Sequence, residues 1–253
     1  RLVEAGMERP VSLAMEDWSL GAHHLQYVYE TYDGTSAGAA EVIEQIKDGQ
    51  LDLTTYDRMS QFLDMFDVLM KYNVAASDPL GADYDEMAID LADGKTAFWF
   101  NGNWAWPNLE EADAEKDDAY GFLPYFMNND PGDFVNCQIQ ASPSKQVMLD
   151  GVVATEKQLA AAKEFLNWIV YSEIGQQMLV KTCNIIPPFQ NNPYEPSDPL
   201  SRDIYNHVHD GAAFNASAIV PNDHWSVLGA AMQKYLAQRS DRAELIASVE
   251  NYW

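Results

Sequence analysis

Carboxylates beside tryptophans are the residues of this chain whose spacing could support chemistry. Glu16 and Asp17 precede Trp18, and Glu110 and Glu111 end a second tryptophan-rich stretch. Two carboxylates at a defined separation can hydrolyse a glycosidic bond. Nothing in the sequence places one pair opposite the other, and 39 acidic residues make chance pairs easy to find. The pattern therefore leaves a glycoside hydrolase open as an alternative without selecting it.

Other catalytic and metal-binding patterns are missing from the sequence. It contains no Gly-x-Ser-x-Gly elbow, no HExxH and no phosphate loop. His23 and His24 are adjacent and His207 and His209 are two apart, so neither pair shares one helical face. The acidic loop 128–133 lacks the spaced ligands and closing glutamate of a calcium loop. We expect neither a metal nor a cofactor.

Aromatic rings at the ends of predicted strands indicate binding instead. Residues 96–100 form a strand-like run, Asn101 and Gly102 form a turn signal, and Pro107 lies in the first turn of a predicted helix. Trp104 and Trp106 fall at this junction. In an open α/β sheet the ligand crevice lies at the carboxyl ends of the strands. One of the two indoles is therefore expected to face a ligand.

Two further tryptophans have the same local setting. A predicted strand at 10–15 and a helix at 19–32 flank Trp18, and Trp225 precedes a strongly periodic helix. We expect Trp18, Trp104 and Trp225 to be partly exposed on one concave face, and Trp99 and Trp168 to lie in the core. The polar residues beside the three rings, suited to hydrogen-bonding a solute's hydroxyl groups, are Glu16, Asp17, Asn103 and His224.

Helical periodicity predicts most of the remaining scaffold. Apolar spacing and capping residues predict helices at 56–72, 84–92, 156–171, 172–181, 198–209, 225–236 and from 241 onward. Strands are expected at 119–126 and 148–154. Residues 34–49 are small and polar and are interpreted as a connection, and 46–53 are expected to form a short strand or a loop. Gly94 is predicted to end the second of these helices.

Composition and charge limit the classes of function. The chain has 253 residues, 47% of them hydrophobic, and 15 basic against 39 acidic side chains, for a net charge of −24. Such a surface repels phosphate backbones and anionic membranes, so we expect no nucleic-acid partner. No stretch approaches the ~18 apolar residues of a membrane helix. The chain shows no signal peptide and opens on a sequence resembling a helix end, so we expect a further segment to precede it.

The two cysteines leave two possibilities open. Cys137 and Cys183 do not have the spacing of a metal or redox site. They are either two free buried thiols or one disulfide formed in an oxidising compartment.

Two stretches and the chain's tail resemble one family. Residues 94–111, GKTAFWFNGNWAWPNLEE, are similar to the NG-x-W-x-W segment of extracellular solute-binding proteins of carbohydrate ABC importers, the maltodextrin-binding group. Residues 161–189, AAKEFLNWIVYSEIGQQMLVKTCNIIPPF, resemble that family's S-E-x-G and I-P segment, and AELIASVENYW resembles its closing helix. The resemblance covers nearly the whole chain, with the segments in the family's order. It extends only to the later part of the family's architecture, without the family's first stretch.

The resemblance implies an α/β fold of the periplasmic-binding-protein-like type II class. Two lobes would be joined by hinge crossings, with the first lobe incomplete in this chain. Residues 1–135 and 190–253 would form the C-terminal-type lobe, and residues 136–189 would belong to the other lobe.

The resemblance also implies non-catalytic binding of a neutral mono- or oligosaccharide for delivery to an ABC-type membrane permease. The protein would be an extracytoplasmic monomer, periplasmic or lipid-anchored through a preceding segment. Alternatives are a carbohydrate-active enzyme, a binder of another solute on the same fold, and an interaction module. The residues implied for the sugar site are Glu16, Asp17, Trp18, Asn103, Trp104, His224 and Trp225.

Overall fold

A computed structural model describes residues 1–114, 120–142 and 147–253. The fold mixes helices with short parallel strands. Four strands are formed in the described ranges: β1 (Val11–Ser12), β2 (Phe98–Trp99), β3 (Ile139–Gln140) and β4 (Ala213–Phe214). Among the described residues, no helix combines the length and apolar character that a membrane span needs.

Most of the regular secondary structure in the described residues is α-helical. Their bounds are α1 (Tyr27–Glu30), α2 (Ser36–Lys47), α3 (Asp57–Tyr72), α4 (Tyr84–Ala92), α5 (Trp106–Glu111), α6 (Glu156–Tyr171), α7 (Glu173–Gln177), α8 (Pro199–His209), α9 (His224–Leu236) and α10 (Arg242–Tyr252). Two π-helical segments (Ser19–His24, Met178–Thr182) and two 3₁₀ turns (Asn103–Ala105, Phe134–Asn136) complete the described elements.

The strands pair across long distances in sequence. β1 lies parallel to β2, with Val11 opposite Phe98, and Val11 also forms a parallel bridge with Asn73 on its other side. β3 lies parallel to β4, and Thr35 forms a parallel bridge with Asn215. Because parallel strands need crossover connections, each pairing brings together segments separated by helices.

One large core and one small core hold these elements together. In the large core α3 presents Met59, Phe62 and Phe66, all fully buried, against α1, α2, α9 and α10. The buried stripe on α3 confirms its predicted amphipathic pattern, and Met59 is packing rather than part of a cofactor site. The small core is built around Trp106 and Leu109 of α5, which are packed against Leu200 of α8.

Capping residues set the helix ends, as predicted for the start at Asp241 and the stop at Gly94. Asp241 and Glu244 form a reciprocal capping box at the start of α10, and Thr155 and Gln158 form another at the start of α6. Gly94 has φ +70° just beyond α4, a conformation that favours glycine and ends the helix.

Some predicted elements differ from the structure. Residues 34–49, interpreted as a connection, contain α2, whose Thr35 hydroxyl accepts from the Gly38 N–H. Residues 120–126 and 148–154 form no strand, and Ala119 lies outside the described residues. Without neighbouring strands to pair with, an apolar run of this length stays irregular.

The cysteines also differ from expectation. Cys137 and Cys183 are both free and both exposed, so the prediction of buried thiols is wrong, and no disulfide joins them. Cys137 follows the 3₁₀ turn Phe134–Asn136, and Cys183 follows the π-helical segment Met178–Thr182.

The buried Glu30 carboxylate joins α1 to β3 and to the segment that follows β4. Its Oε1 accepts from the Ala218 N–H at 2.9 Å and its Oε2 from the Gln140 Nε2 at 2.7 Å. The same Gln140 nitrogen donates to the Ala216 carbonyl at 2.8 Å. Burial raises the pKa of Glu30 to about 7, although these hydrogen bonds act in the opposite direction.

This carboxylate makes stability depend on pH with a defined sign. The folded protein holds the Glu30 proton up to about pH 7, whereas the unfolded chain releases it near the ordinary value of 4.5. Stability is therefore lost as pH rises through this window, by roughly 2 kcal/mol between pH 5 and 8. Urea unfolding at both pH values should show this loss diminished in Glu30→Gln and unchanged in the exposed control Glu41→Gln. Equal losses in all three proteins would contradict the assignment.

Candidate functional site

Trp18, Trp104 and Trp225 each lie at a junction that leads into a helix, which we call a tip. The rings of Trp18 and Trp104 both contact the ring of His23. The His23 ring lies 5.3 Å from the Trp18 ring and 5.2 Å from the Trp104 ring, measured between centroids. Trp18 is half-buried, and Trp104 is 48% exposed. Trp18, His23 and Trp104, up to 86 positions apart in sequence, thus form one aromatic surface that is open to solvent at Trp104.

The π-helical segment explains why Trp18 and His23 are neighbours. Leu25 N–H donates to the Leu20 carbonyl at 3.0 Å, an i to i+5 hydrogen bond that widens the turn. Trp18 and His23 are also five residues apart, so they lie one wide turn from each other. Such π-helical turns occur frequently at functional sites.

Tyr84, at the start of α4, extends the aromatic surface. Its ring lies 6.1 Å from Trp18 and 4.9 Å from Trp99, and its hydroxyl accepts from Asn101 Nδ2 at 2.9 Å. Burial raises the pKa of Tyr84, so the hydroxyl stays protonated at neutral pH. Trp99 was expected in the core. It is half-buried and packs against the small core.

Gly102 allows the Trp104 ring to fold back over the turn that carries it. A Cβ built at Gly102 would overlap the six-membered part of the Trp104 indole. Gly102 has an ordinary extended conformation, with φ −116°, so only the ring excludes a side chain here. The Asn-Gly signal of the sequence therefore serves ring placement as well as the turn.

A close approach of two backbones positions Trp225 beside the Trp18 tip. A Cβ on Gly21 would overlap the Trp225 carbonyl oxygen and lie 2.8 Å from the Gly229 nitrogen. A Cβ on Gly229 would lie 2.8 Å from the Asp17 Cα. α9 and the π-helical segment can pack this closely because both positions lack side chains. Trp225 is 40% exposed.

Asp17 and Glu16, the acidic residues beside Trp18, have different surroundings. Asp17 Oδ1 accepts from the Trp18 N–H at 2.8 Å, which orients the start of the π-helical segment. Glu16 is half-buried, and its buried Oε2 has no hydrogen-bond partner in the part of the chain that the structure describes. A buried acceptor without a partner is costly, and a solute hydroxyl could satisfy it.

The side chains of Asn103 and His224 both contact other residues of the protein. Asn103 Nδ2 donates to Ser201 Oγ at 3.0 Å. His224 is 0% exposed, its Nε2 lies 3.4 Å from the Tyr29 hydroxyl, and its ring packs on Trp253. Burial lowers the pKa of His224 to about 4, so the ring is neutral at pH 7. Its predicted role as a hydrogen-bonding group for a solute stays a prediction, for a side chain that the structure buries.

Trp168 was expected in the core and is 38% exposed instead, stacked on the exposed Phe165 at 6.0 Å. α6 contains no fully buried residue. Leu159, Ala162, Leu166 and Ile169 of this helix are half-buried, whereas Phe165 is exposed. Tyr171 and Ile174 continue the exposed apolar surface at 74% and 63% exposure.

The histidine pairs do not form a metal site in the described ranges. His23 contacts Trp18 and Trp104, whereas His24 is fully buried, with its ring 3.9 Å from Phe100 and its Nδ1 hydrogen-bonded to Tyr125. Their divergence agrees with the helical geometry predicted for adjacent residues. Within residues 1–114, 120–142 and 147–253, no group of three or more His, Cys, Asp or Glu is arranged to hold a metal ion.

Sequence reasoning missed His23, Tyr84 and the glycine pair. The five-residue spacing of His23 from Trp18 signals proximity only once the segment is known to be a π-helix. Tyr84 is the first residue of a predicted helix and follows its capping residue Asp83. The start of this helix lies beside the end of β2, where the Tyr84 ring contacts Trp99. The glycines at 21 and 229 carried no local signal.

A comparison with protein families decides the class of the molecule. The profile of the bacterial extracellular solute-binding protein family matches residues 5–203. The chain belongs to this family. The match spans the π-helical segment, the Trp104 tip and α6. Comparisons with curated proteins and with solved structures found no match.

Membership makes this chain a solute-binding protein that acts in transport outside the cytoplasm. Proteins of this kind bind their solutes rather than convert them. In this solute-binding protein the exposed rings of Trp104 and Trp225 and the half-buried ring of Trp18 are candidates for solute contacts.

Proposed function

We propose that this solute-binding protein binds a neutral mono- or oligosaccharide and delivers it to an ABC-type membrane permease. The observation that carries the proposal is the aromatic surface of Trp18, His23 and Trp104, beside the unpartnered Oε2 of Glu16. Sugar rings present C–H faces that stack on indoles and hydroxyl groups that donate to a carboxylate.

The electrostatics of the site favour an uncharged solute over an anion. Glu16 and Asp17 lie next to Trp18, in a protein of net charge −24. An anionic solute would meet like charges at a distance where they repel. A sugar hydroxyl instead satisfies the Glu16 oxygen without bringing charge into a partly buried site.

We further propose a two-lobed arrangement. Residues 1–135 and 190–253 form one lobe, and residues 136–189 belong to the other, with 115–119 and 143–146 outside the described residues. Because β3 pairs with β4 of the first lobe, the chain would cross between the lobes beyond Gln140. The exposed apolar surface of α6 and α7 supports this, because a face with Phe165, Trp168 and Tyr171 uncovered is typical of a surface that packs on another unit. Closure of the lobes over the solute would shift the population toward the form the permease recognises.

A thermal-shift screen tests the proposed solute class. The protein should be stabilised by at least one of glucose, maltose, maltotriose or xylobiose, and by neither glutamate nor spermidine. Stabilisation follows from binding to the folded state alone, so it rises with the logarithm of solute concentration. A response only to spermidine would replace the saccharide with a cation, and enzyme-like hydrolysis of a glycoside would replace binding with catalysis.

Trp104→Ala should weaken binding of the saccharide that gives the largest thermal shift. Losing a ring that stacks on the sugar removes roughly 1.5–3 kcal/mol of apolar burial, or about ten- to a hundredfold in Kd. The melting temperature of the free protein should barely change, because the ring is 48% exposed and its loss opens no core cavity. Isothermal titration calorimetry measures the Kd.

Two variants serve as controls for this prediction. Trp168→Ala removes an indole of similar exposure from α6 and should leave Kd unchanged. Gly102→Ala leaves the indole present but displaces it, and should weaken binding in the same direction as Trp104→Ala. An unfolded Trp104→Ala protein, or an unaltered Kd, would show that Trp104 is a packing residue.

A further inference from the structure

The Asn103 side chain closes a triangle of hydrogen bonds at the base of the Trp104 tip. Its Nδ2 donates to Ser201 Oγ at 3.0 Å and to the Asn184 carbonyl at 3.4 Å. Ser201 Oγ itself donates to the same Asn184 carbonyl at 3.3 Å. Ser201 is fully buried, and Asn103 and Asn184 are half-buried. The donors of Asn103 are therefore committed to the protein.

The corners of the triangle come from three separate stretches of chain. Asn184 follows the helical segment 156–182 and has φ +51°, a left-handed conformation in which asparagine is tolerated. The Ile185 N–H donates back to Leu179 at 3.2 Å, which holds the Asn184 carbonyl at the end of that segment. Ser201 lies in the first turn of α8, and its N–H donates to Asp198 at 2.8 Å.

We propose that Asn103 is a positioning residue that couples the Trp104 ring to the end of the helical segment 156–182, through Asn184 and Ser201. Asn103 directly precedes Trp104, whose ring lies over Gly102 and against His23. A displacement of Asn184 pulls on the Asn103 amide and so on the adjacent ring. The functional meaning of the coupling rests on the proposed solute contact of Trp104.

The coupling is reciprocal if the ring contacts solute. A solute that fixes Trp104 favours the position of segment 156–182 in which the triangle is intact, and by linkage that position favours the solute. A direct solute contact of the Asn103 amide fits less well. A solute hydroxyl would have to displace Ser201 Oγ as the acceptor of the Asn103 amide, in a buried setting where lost hydrogen bonds are costly.

The coupling can be measured without any solute. The full chain is labelled with 5-fluorotryptophan, and the ¹⁹F resonance of Trp104 among the seven tryptophans is assigned with Trp104→Phe. Spectra are recorded for Asn103→Ala, Ser201→Ala and the double variant. The matched control is Asn108→Ala, which removes an asparagine of α5 that donates to Asp85 at 3.2 Å instead.

We expect Asn103→Ala and Ser201→Ala each to shift the Trp104 resonance by more than its line width, and the double variant to shift it no further than Asn103→Ala alone. Asn108→Ala should leave it in place. Such non-additivity indicates one connected unit. A Trp104 resonance unmoved by Ser201→Ala would overturn the proposal, and that single variant decides the question if Asn103→Ala does not fold. Since no solute is present, a failure here is separate from a failure of saccharide binding.

Discussion

Gly229→Ala is expected to lower the free energy of unfolding by about 3 kcal/mol. In an ordinary helix this change stabilises, because alanine has the higher helix propensity. Here the added Cβ would overlap the Asp17 carbonyl oxygen and lie 2.7 Å from its carbon. These are backbone atoms that cannot rotate away, so α9 and the π-helical segment must separate.

Urea unfolding measures this loss, and Gly151→Ala is its control. A Cβ at Gly151 meets no atom within 4 Å, and its substitution should change stability by no more than about 0.5 kcal/mol. Separation of the two elements should also displace Trp225 and weaken binding of the saccharide proposed above. A Gly229→Ala protein as stable as its parent would show that the two backbones do not approach this closely in solution.

His24 should make the protein sensitive to acid. Burial, and to a smaller extent the nearby His23, lowers the pKa of His24 from 6.5 to about 3. The unfolded chain takes up this proton below pH 6.5 while the folded protein does not. Stability is thus fully present above about pH 7 and falls by about 3 kcal/mol between pH 7 and pH 4. This sign is opposite to that of Glu30.

The double variant His24→Phe/Tyr125→Phe isolates the effect. Tyr125 hydrogen-bonds to His24, so replacing both leaves no buried hydroxyl without a partner. Between pH 7 and pH 4 the variant should lose about 3 kcal/mol less than the parent in urea unfolding. His209→Phe, at the exposed end of α8, controls for loss of a histidine. Parallel pH profiles for the parent and the double variant would show that His24 is protonated in the folded protein.

The helices follow from the sequence because their signals are local. Asp241 with Glu244 and Asp198 before Pro199 satisfy backbone N–H groups three residues away, whatever the rest of the fold does. α3 likewise shows its buried face in the spacing of its own apolar residues. α2 was missed although Ala39, Val42 and Ile43 follow the same rule, because its glycine and alanine start was interpreted as a connection.

The positions of the three tryptophans were predictable, but their surroundings were not. Strand, tip and helix patterns located Trp18, Trp104 and Trp225 at element ends, and Trp104 and Trp225 are exposed as expected. The neighbours that complete the surface come from elsewhere: the imidazole of His23 depends on a π-helical turn, and the ring of Tyr84 depends on where α4 begins.

Only the tertiary structure decided which polar residues of the tips remain available. His224 stands beside Trp225 in sequence, yet Tyr29 and Trp253 bury it from other parts of the chain. Asn103 donates to residues 81 and 98 positions away. A residue's own neighbours in sequence determine its helix or turn, whereas its burial depends on segments that arrive from a distance. The sequence by itself therefore determined most of the helices, the element ends that carry the three tryptophans, and the family resemblance. Packing of distant backbones, closest at Gly21 and Gly229, decided which residues surround those tryptophans.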